Sequence, residues 1–365
     1  MKEQKKRIPY IDLMESLAML FVVAYHLSNL NYKPMEVFSV EAAINYYLRS
    51  IFVCCVPLFL VTNGYLMFHH SLDMKRHLKK TLHYVLLTLF WGVVTQGVYY
   101  RVEGNAFSVS GFLQELFQWR NGVIYLWYMG ALVIIYLLFP LLKYIYDHQE
   151  KLLRYLIAVL AVFTFGNELI NHGVTIVNGF RGKAMYWVLM ENWFSMFNPV
   201  AEIPGYTLVY FCLGAYLQDF LDWLRKFSRK RVNLLAAAAL ALAAAVHGVV
   251  FTLLCKATNS YCCSIWYGYE TITGFVISAA MVVLLGNYQG KWNRGAKLLK
   301  LISTHTLGIY FVHMVFVHSL RSTAWAFAPL VNLPGNLLWA AGIIGLCLCV
   351  VLVLKKIPGI RKLVT

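Results

Sequence analysis

Long apolar segments recur along the whole chain and are separated by short polar or basic stretches. The apolar positions within each segment are continuous and do not alternate with a period of two. They therefore predict membrane-spanning α-helices and exclude the strands of a barrel. Ten spans are predicted, at about 11–30, 44–68, 80–100, 123–143, 152–171, 205–220, 233–254, 270–286, 298–320 and 337–354. The predicted fold is an all-α, polytopic membrane protein with about ten transmembrane helices.

The basic residues between the spans predict the orientation of the chain. An even number of spans puts both chain ends on one side of the membrane. If that side is the cytoplasm, about three quarters of the 32 Lys and Arg residues lie in cytoplasmic segments. This is the bias that the positive-inside rule describes. We therefore predict that both termini are cytoplasmic, and we treat residues 1–365 as a single membrane domain.

The composition agrees with a membrane protein and reduces the number of possible functions. The chain is 60% hydrophobic and only 13% charged, which is about half the charged share of soluble domains. A formal net charge of +16 would favour nucleic-acid binding in a soluble protein. Here the positive-inside bias explains the charge. We therefore predict membrane lipids as partners and no nucleic acid. The eight cysteines contain no CxxC pair, and no metal site is predicted.

The first span carries a polar face. Helical spacing aligns Asp12, Glu15, Met19, Val22 and His26. The two acids lie near the cytoplasmic end, whereas His26 lies in the outer third of the bilayer. Ionisable residues inside a membrane are costly and usually mark a functional site. We therefore expect His26 to face protein or water.

A second polar face runs along the ninth predicted span and carries Ser303, Thr306, Tyr310, His313 and Arg321. This span runs from inside to outside, so His313 also lies in the outer half of the membrane. The similar depth of His26 and His313 is compatible with one shared cavity.

A basic cluster lies at the cytoplasmic start of the third span and consists of Lys75, Arg76, His77, Lys79 and Lys80. Two interpretations are open. The cluster is either positive-inside charge that meets anionic lipid headgroups, or a phosphate site for a nucleotide-like ligand.

Several segments resemble the acyltransferase-3 family of integral-membrane O-acyltransferases. The opening RIPYIDLMESLAMLFVVAYH (7–26) is similar to the family's first span, and VPLFLVTNGYLMF (56–68) followed by DMKRHLKK (73–80) is similar to its second span and basic loop. YLWYMGALVIIYLLFPLL (125–142) and ISTHTLGIYFVHMVFVHSLR (302–321) resemble two later spans. The matches are collinear and cover nearly the whole chain. The spacing is most similar to that of surface-polysaccharide O-acetyltransferases without an appended soluble domain.

The resemblance implies an enzyme of the bacterial cytoplasmic membrane. Such a protein takes acetyl from cytoplasmic acetyl-CoA and places it on a hydroxyl of a surface glycan or of a lipid-linked saccharide. The family's essential histidine corresponds to His26, and its Tyr/His pair to Tyr310 and His313. Its donor-binding residues correspond to Lys75, Arg76, Lys79, Lys80 and Trp127.

Two positions depart from the family pattern. The family often has Arg ahead of the histidine, with ten intervening positions, where this chain has Glu15. Either another base binds the CoA phosphates or Glu15 has a different role. The family's Ser-Gly in the second span is Asn63-Gly64 here, which keeps hydrogen-bonding capacity but loses the hydroxyl.

Acyl transfer from a thioester needs a base or nucleophile and a donor to the developing oxyanion. His26 can act as general base for the acceptor hydroxyl or as an acyl-accepting nucleophile. Tyr310, His313 and Asn63 are the predicted oxyanion donors. Five outer aromatic residues are candidates either for stacking on sugar rings or for an interfacial aromatic belt: Trp187, Trp193, Trp266, Tyr267 and Tyr269.

Two other classes of function remain open at this point. Polar faces with histidines inside the membrane also suit a proton-coupled transporter or exporter of a small polar or glycan substrate. No inverted repeat supports that class. In a scaffold within a glycan-export complex, His26 would be dispensable.

Overall fold

The computed structural model describes residues 8–28, 40–104, 107–118, 120–181, 205–258, 268–288, 294–320 and 333–365. In these ranges the chain is almost entirely helical and contains no strand. The helices are α1 (Pro9–Ser28), α2 (Val40–Phe52), α3 (Cys55–Phe68), α4 (Met74–Glu103), α5 (Val109–Gln118), α6 (Trp127–His148), α7 (Glu150–Phe180), α8 (Gly205–Leu213), α9 (Leu217–Leu224), α10 (Arg229–Thr258), α11 (Ile272–Gly286), α12 (Arg294–Thr304), α13 (Thr306–Ser319) and α14 (Leu333–Lys356). Three short 3-10 segments are Asn121–Leu126, Gly214–Tyr216 and Ile360–Val364.

The all-helical membrane architecture is confirmed, whereas the number of ten spans is not. In the described part of the chain, seven helical segments are long and apolar enough to cross a membrane, and a bent pair of helices adds an eighth. The predicted span 205–220 is divided into α8 and α9 by a 3-10 turn, so neither helix is long enough alone. The predicted span 270–286 corresponds to α11, a 15-residue helix.

The predicted span 298–320 is bent instead of straight. α12 and α13 meet at an angle of 81° at His305. α12 carries Arg294, Lys297 and Lys300, whereas α13 is apolar apart from its buried polar face. Basic side chains avoid the hydrocarbon region. The bend therefore lets α12 follow the membrane surface while α13 enters the bilayer.

The first helix lies at the centre of the bundle. α1 packs against α2, α3, α11, α12, α13 and α14. Of its most apolar 18-residue window, 72% is buried, against 11% for the corresponding window of α7. α7 is therefore a peripheral, lipid-facing helix, while α1 is enclosed by protein. The polar residues of α1 face other helices, as the cost of burying them in lipid requires.

Two glycines allow a close crossing between α3 and the segment that joins α8 to α9. A Cβ atom on Gly214 would lie 2.9 Å from the Cα atom of Gly64, and a Cβ atom on Gly64 would overlap the carbonyl oxygen of Phe211. Small residues are the usual device for such backbone contacts between membrane helices. The crossing determines the position of α3 and hence of Asn63.

Candidate active site

The histidine of the first helix lines a cavity of about 370 Å³. Helix α1 contributes His26, and the predominantly aromatic wall comes from α3, α6, α8, α13 and the turns before α6 and α11. The lining residues are Val22, Tyr25, His26, Cys55, Val56, Phe59, Ile124, Tyr125, Trp127, Tyr128, Tyr206, Tyr269, Glu270 and Tyr310. We call this the outer cavity. Its position agrees with the expectation that His26 faces protein or water and not lipid.

The two histidines that the sequence places at similar depth are neighbours. The ring centroids of His26 and His313 lie 5.3 Å apart. His313 is fully buried and lies behind His26, away from the outer cavity. Its Nδ1 is 2.5 Å from the carbonyl oxygen of Tyr310. The pair is formed by the packing of α1 against α13.

An aromatic wall closes one side of the outer cavity. Ring centroids of Trp127 and Tyr206 lie 5.8 and 6.0 Å from that of Tyr269, and Tyr25 lies 6.4 Å from it. Trp127 thus belongs to the outer cavity, which no residue of the basic cluster lines, although the resemblance grouped the two. Of the five outer aromatic residues predicted to contact sugar or lipid, Tyr269 belongs to this wall. The other four lie outside the described residues: Trp187, Trp193, Trp266 and Tyr267.

A second, inner cavity of about 220 Å³ adjoins the first. Its walls come from α1, α3, α4, α6, α12 and α13. The lining residues are Glu15, Phe59, Thr62, Asn63, Leu66, Lys80, Tyr84, Tyr128, Met129, Leu132, Tyr136, Ser303, Thr306, Leu307 and Tyr310. The cavity therefore brings together one acid and one base, Glu15 and Lys80, that lie 65 positions apart in the sequence.

A hydrogen-bonded chain crosses the wall of the inner cavity. The ammonium group of Lys80 donates to the hydroxyl of Tyr136 at 3.3 Å, and that hydroxyl donates to Oδ1 of Asn63 at 2.9 Å. His77 is buried one helical turn before Lys80, and its Nε2 donates to the backbone carbonyl of Tyr136 at 2.7 Å. These bonds hold the start of α4 against α6 and direct Lys80 into the cavity.

The remaining basic residues of the cluster lie elsewhere. Lys75, Arg76 and Lys79 are exposed on the first turns of α4, outside both cavities. The helix begins at Asp73, whose side chain accepts a hydrogen bond from the backbone of Arg76 at 3.0 Å. Lys80 is exposed as well, but it differs from the three other predicted phosphate-binding residues because its side chain lines the inner cavity.

The two cavities share three aromatic residues. Phe59, Tyr128 and Tyr310 line both of them. Along α1, Glu15 at the inner cavity and His26 at the outer cavity are about 16 Å apart, at a rise of ~1.5 Å per residue. The cavities thus lie in succession along α1 and meet at these three side chains.

The three predicted oxyanion donors have partners in this structure. The hydroxyl of Tyr310 donates to the carbonyl oxygen of Tyr125, and the Nδ1–H of His313 donates to the carbonyl oxygen of Tyr310. Asn63 lines the inner cavity and not the outer one. An oxyanion role for any of them would require a change in these contacts or a substrate that reaches into the inner cavity.

The inner ends of the two polar faces also meet. Ser303 donates a hydrogen bond of 2.5 Å to the carboxylate of the buried Asp12. This bond connects α1 to α12 beside the inner cavity. Arg321, which the sequence places on the same polar face as Ser303, lies outside the described residues.

Two of the wall residues that the sequence analysis did not single out are Glu270 and Tyr136. Glu270 lines the outer cavity from the turn before α11, directly after the predicted aromatic contact Tyr269. Its position at the beginning of an apolar segment gives it the pattern of an ordinary solvated acid. Tyr136 lies within an apolar run of α6 and gives no sequence signal, because its hydroxyl acquires a role only when α4 and α3 are added.

A third cavity, of about 710 Å³, lies beside Pro57 and Val61 of α3. It is bounded by apolar side chains of α7, α8, α9 and α11, such as Phe220 and Phe275. Its one basic group, Arg154, is engaged by Glu150 at 2.5 Å. No histidine or cysteine lines it, so we do not consider it a candidate active site.

The described residues contain no group of three or more His, Cys, Asp or Glu side chains placed to hold a metal ion. A family model described as an acyltransferase domain matches residues 8–355. No curated protein matches the chain, and neither does any solved structure.

Proposed function

The chain belongs to the acyltransferase-3 family, and we propose that it transfers an acetyl group from cytoplasmic acetyl-CoA to a hydroxyl of a surface polysaccharide or its lipid-linked precursor. Membership of the family supports acyl transfer in general. The observation that carries the more specific proposal is the pair of adjoining cavities. One holds a base suited to a phosphate, the other holds the histidine, and they meet at three shared side chains.

The inner cavity is the proposed donor site. Lys80 supplies an ammonium group beside a cavity wall, where a phosphate of CoA can accept its hydrogen bonds. Glu15 occupies the position where the family often has Arg, and it lines the same cavity. Lys80 therefore takes over the phosphate contact, while Lys75, Arg76 and Lys79 attract the anionic donor from solution. The acyl end of the donor passes between Phe59, Tyr128 and Tyr310 to reach His26.

The chemistry proposed for His26 is that of a general base. Its cavity-facing nitrogen takes the proton of the acceptor hydroxyl as the hydroxyl oxygen attacks the thioester carbon. The carbon–sulfur bond then breaks, and the leaving thiolate takes the proton from His26 to give CoA. The alternative is a direct attack by His26 with a transient acyl-imidazole, which the acceptor hydroxyl then resolves. Both routes start from the same free nitrogen.

The outer cavity is the proposed acceptor site. Trp127, Tyr206 and Tyr269 present aromatic rings to it, and such rings stack on the apolar faces of sugars. Glu270 offers a carboxylate that can accept hydrogen bonds from sugar hydroxyls. This arrangement suits an enzyme of the bacterial cytoplasmic membrane whose acceptor arrives from the outer side.

The test uses the purified protein in lipid nanodiscs with [14C]acetyl-CoA as the probe. Equilibrium binding and the slow release of CoA without an acceptor are measured for the wild type and for His26→Gln. We expect the wild type to bind acetyl-CoA and to release CoA. His26→Gln should bind equally well and release CoA at least about 100-fold more slowly, in the range that loss of general base catalysis gives.

The matched control is His148→Gln, which removes an exposed histidine at the end of α6. It should retain wild-type binding and release. Absence of acetyl-CoA binding to the wild type would overturn the proposal, and the polar faces would then favour the transporter hypothesis. Wild-type CoA release by His26→Gln would overturn the assigned role of His26.

A further inference from the structure

One buried nitrogen atom in the described part of the molecule has no hydrogen-bond partner although it lies beside the proposed catalytic residue. Nε2 of His313 is completely buried and is not hydrogen-bonded. Leaving a buried polar group without a partner is costly, so such atoms are rare in folded proteins. A buried imidazole that keeps this atom free next to a second imidazole suggests a partner that forms during the reaction.

The other nitrogen of His313 determines what this free atom can do. Nδ1 lies 2.5 Å from the carbonyl oxygen of Tyr310, and a carbonyl oxygen only accepts hydrogen bonds. Nδ1 therefore carries the proton in the neutral ring. Nε2 then carries a lone pair and is an acceptor. The main chain of α13 thus selects one tautomer of His313.

We propose that His313 is a positioning residue, whose Nε2 accepts the ring N–H of His26 and so holds the lone pair of His26 on its cavity-facing nitrogen. This inference rests on the proposed function, because it assigns the activation of the base that the function requires. It replaces the oxyanion role that the sequence suggested for His313 with a role on the other side of His26. The series of hydrogen bonds then runs from the carbonyl oxygen of Tyr310 through His313 and His26 to the outer cavity.

The geometry allows this bond. A separation of 5.3 Å between ring centroids brings the ring edges close to the ~3 Å between nitrogen atoms that a hydrogen bond needs. A small rotation of the His26 side chain, which is only partly buried, completes the approach, and catalytic hydrogen bonds are often longer before the substrate binds. The arrangement follows the logic of a base oriented by a third group. A neutral imidazole does this without placing a negative charge inside the membrane.

The surroundings of the pair add further polar groups. The titratable and charged side chains that face the two histidines are Tyr25, Tyr125, Tyr310, His318 and Arg49. The hydroxyls of Tyr125 and Tyr310 have hydrogen-bond partners, with Tyr125 bonded to Thr95 and Tyr310 to the carbonyl of Tyr125, so neither offers His26 a ready acceptor. The ring of Tyr25 contacts the Arg49 guanidinium, and its centroid lies 6.3 Å from that of His26, against 5.3 Å for His313. Nε2 of His313 is therefore the acceptor that we assign to His26.

Two amide substitutions distinguish the role of Nε2 of His313 from that of Nδ1. His313→Gln places an amide oxygen near the position of Nε2, where it can accept the N–H of His26. His313→Asn places its amide near the position of Nδ1 and offers nothing at the position of Nε2. Both variants bury an uncharged amide, so a general effect of polarity or folding would affect them alike.

The first measurement is the kinetics of CoA release from [14C]acetyl-CoA in nanodiscs at several pH values. We expect His313→Asn to lower kcat by at least about tenfold with little change in KM, as for loss of a partner that orients a catalytic group. His313→Gln should recover most of the rate and show a shifted pH profile. Equal activity of the Asn variant and the wild type would overturn the proposal.

The second measurement does not depend on acetyl-CoA. Diethyl pyrocarbonate acylates imidazole at a nitrogen with a free lone pair, and mass spectrometry follows the modification of His26. We expect His313→Asn to slow this modification by about tenfold and His313→Gln to restore it. Equal modification rates in all three proteins would overturn the inference. Loss of acetyl-CoA binding by the wild type, with this pattern of modification intact, would instead overturn the proposed function alone.

The control is His305→Gln, which replaces a buried histidine at the junction of α12 and α13 that lines neither cavity. It should leave both rates unchanged. A similar loss in this variant would show that any buried histidine in the region supports the fold, and the positioning role would be withdrawn.

Discussion

Two adjacent lysines illustrate how the structure distinguishes residues that the sequence treats alike. Lys79 and Lys80 belong to one basic run, but only Lys80 lines the inner cavity and contacts Tyr136. We expect Lys80→Gln to raise the KM for acetyl-CoA by about 10–100-fold, because a hydrogen bond to a charged group contributes about 1.5–3 kcal/mol. Lys79→Gln, the matched control, should change it less than about threefold, as for an exposed charge that lines neither cavity. Equal effects of the two substitutions in steady-state assays would contradict the assignment of the donor site.

At the residue scale, the sequence predicted the side chains that periodicity can reveal. Asp12, Glu15 and His26 share a helical face, and the structure directs two of them into the cavities and the third to Ser303. Glu270 could not be predicted in the same way. Its carboxylate gains a cavity only through contacts between distant segments, and no local pattern records such contacts.

At the scale of the elements, the crossing of α3 with the α8–α9 segment leaves no room for an added methyl group. We expect Gly214→Ala to destabilise the protein by about 1–3 kcal/mol, because the added methyl group meets the backbone of α3, which cannot yield as a side chain can. Thermal unfolding followed by intrinsic fluorescence in detergent measures the effect.

The same substitution at Gly97 provides the control for that experiment. A Cβ atom on Gly97 of α4 meets nothing within 4 Å. Gly97→Ala should therefore leave the protein unchanged or stabilise it by up to about 1 kcal/mol, through helix propensity alone. A loss of stability in Gly97→Ala as large as that in Gly214→Ala would show that the crossing is not the cause.

The hydropathy pattern predicted the positions of the helices better than the positions of the breaks within the spans. The bend at His305 separates two segments that both have helical patterns, and no proline or glycine marks it. The break before α9 has Gly214 as a signal, but an isolated glycine is common in straight membrane helices as well. Both breaks lie where the spans pack against α1 and α3, and a hydropathy pattern does not contain such contacts.

For the whole molecule, the orientation in the membrane gives a direct test. α4 separates the exposed Ser71 from the exposed Ser110, and the distribution of basic residues puts Ser71 in the cytoplasm. In a variant without its native cysteines, Ser110→Cys should react with a membrane-impermeant maleimide in intact cells. Ser71→Cys should react only after lysis. The reverse labelling pattern would show that the orientation in the membrane is inverted and that the inner cavity lies on the side without acetyl-CoA.

The three aromatic residues between the cavities also bear on the electrical integrity of the membrane. Substrates that meet from opposite faces require a path through the protein, yet an open aqueous path would let protons flow down their gradient. The rings of Phe59, Tyr128 and Tyr310 interrupt that path with bulky, mostly apolar surface. In the proposed reaction path, the side chains between the donor and acceptor sites therefore also form a barrier that limits proton leakage across the membrane.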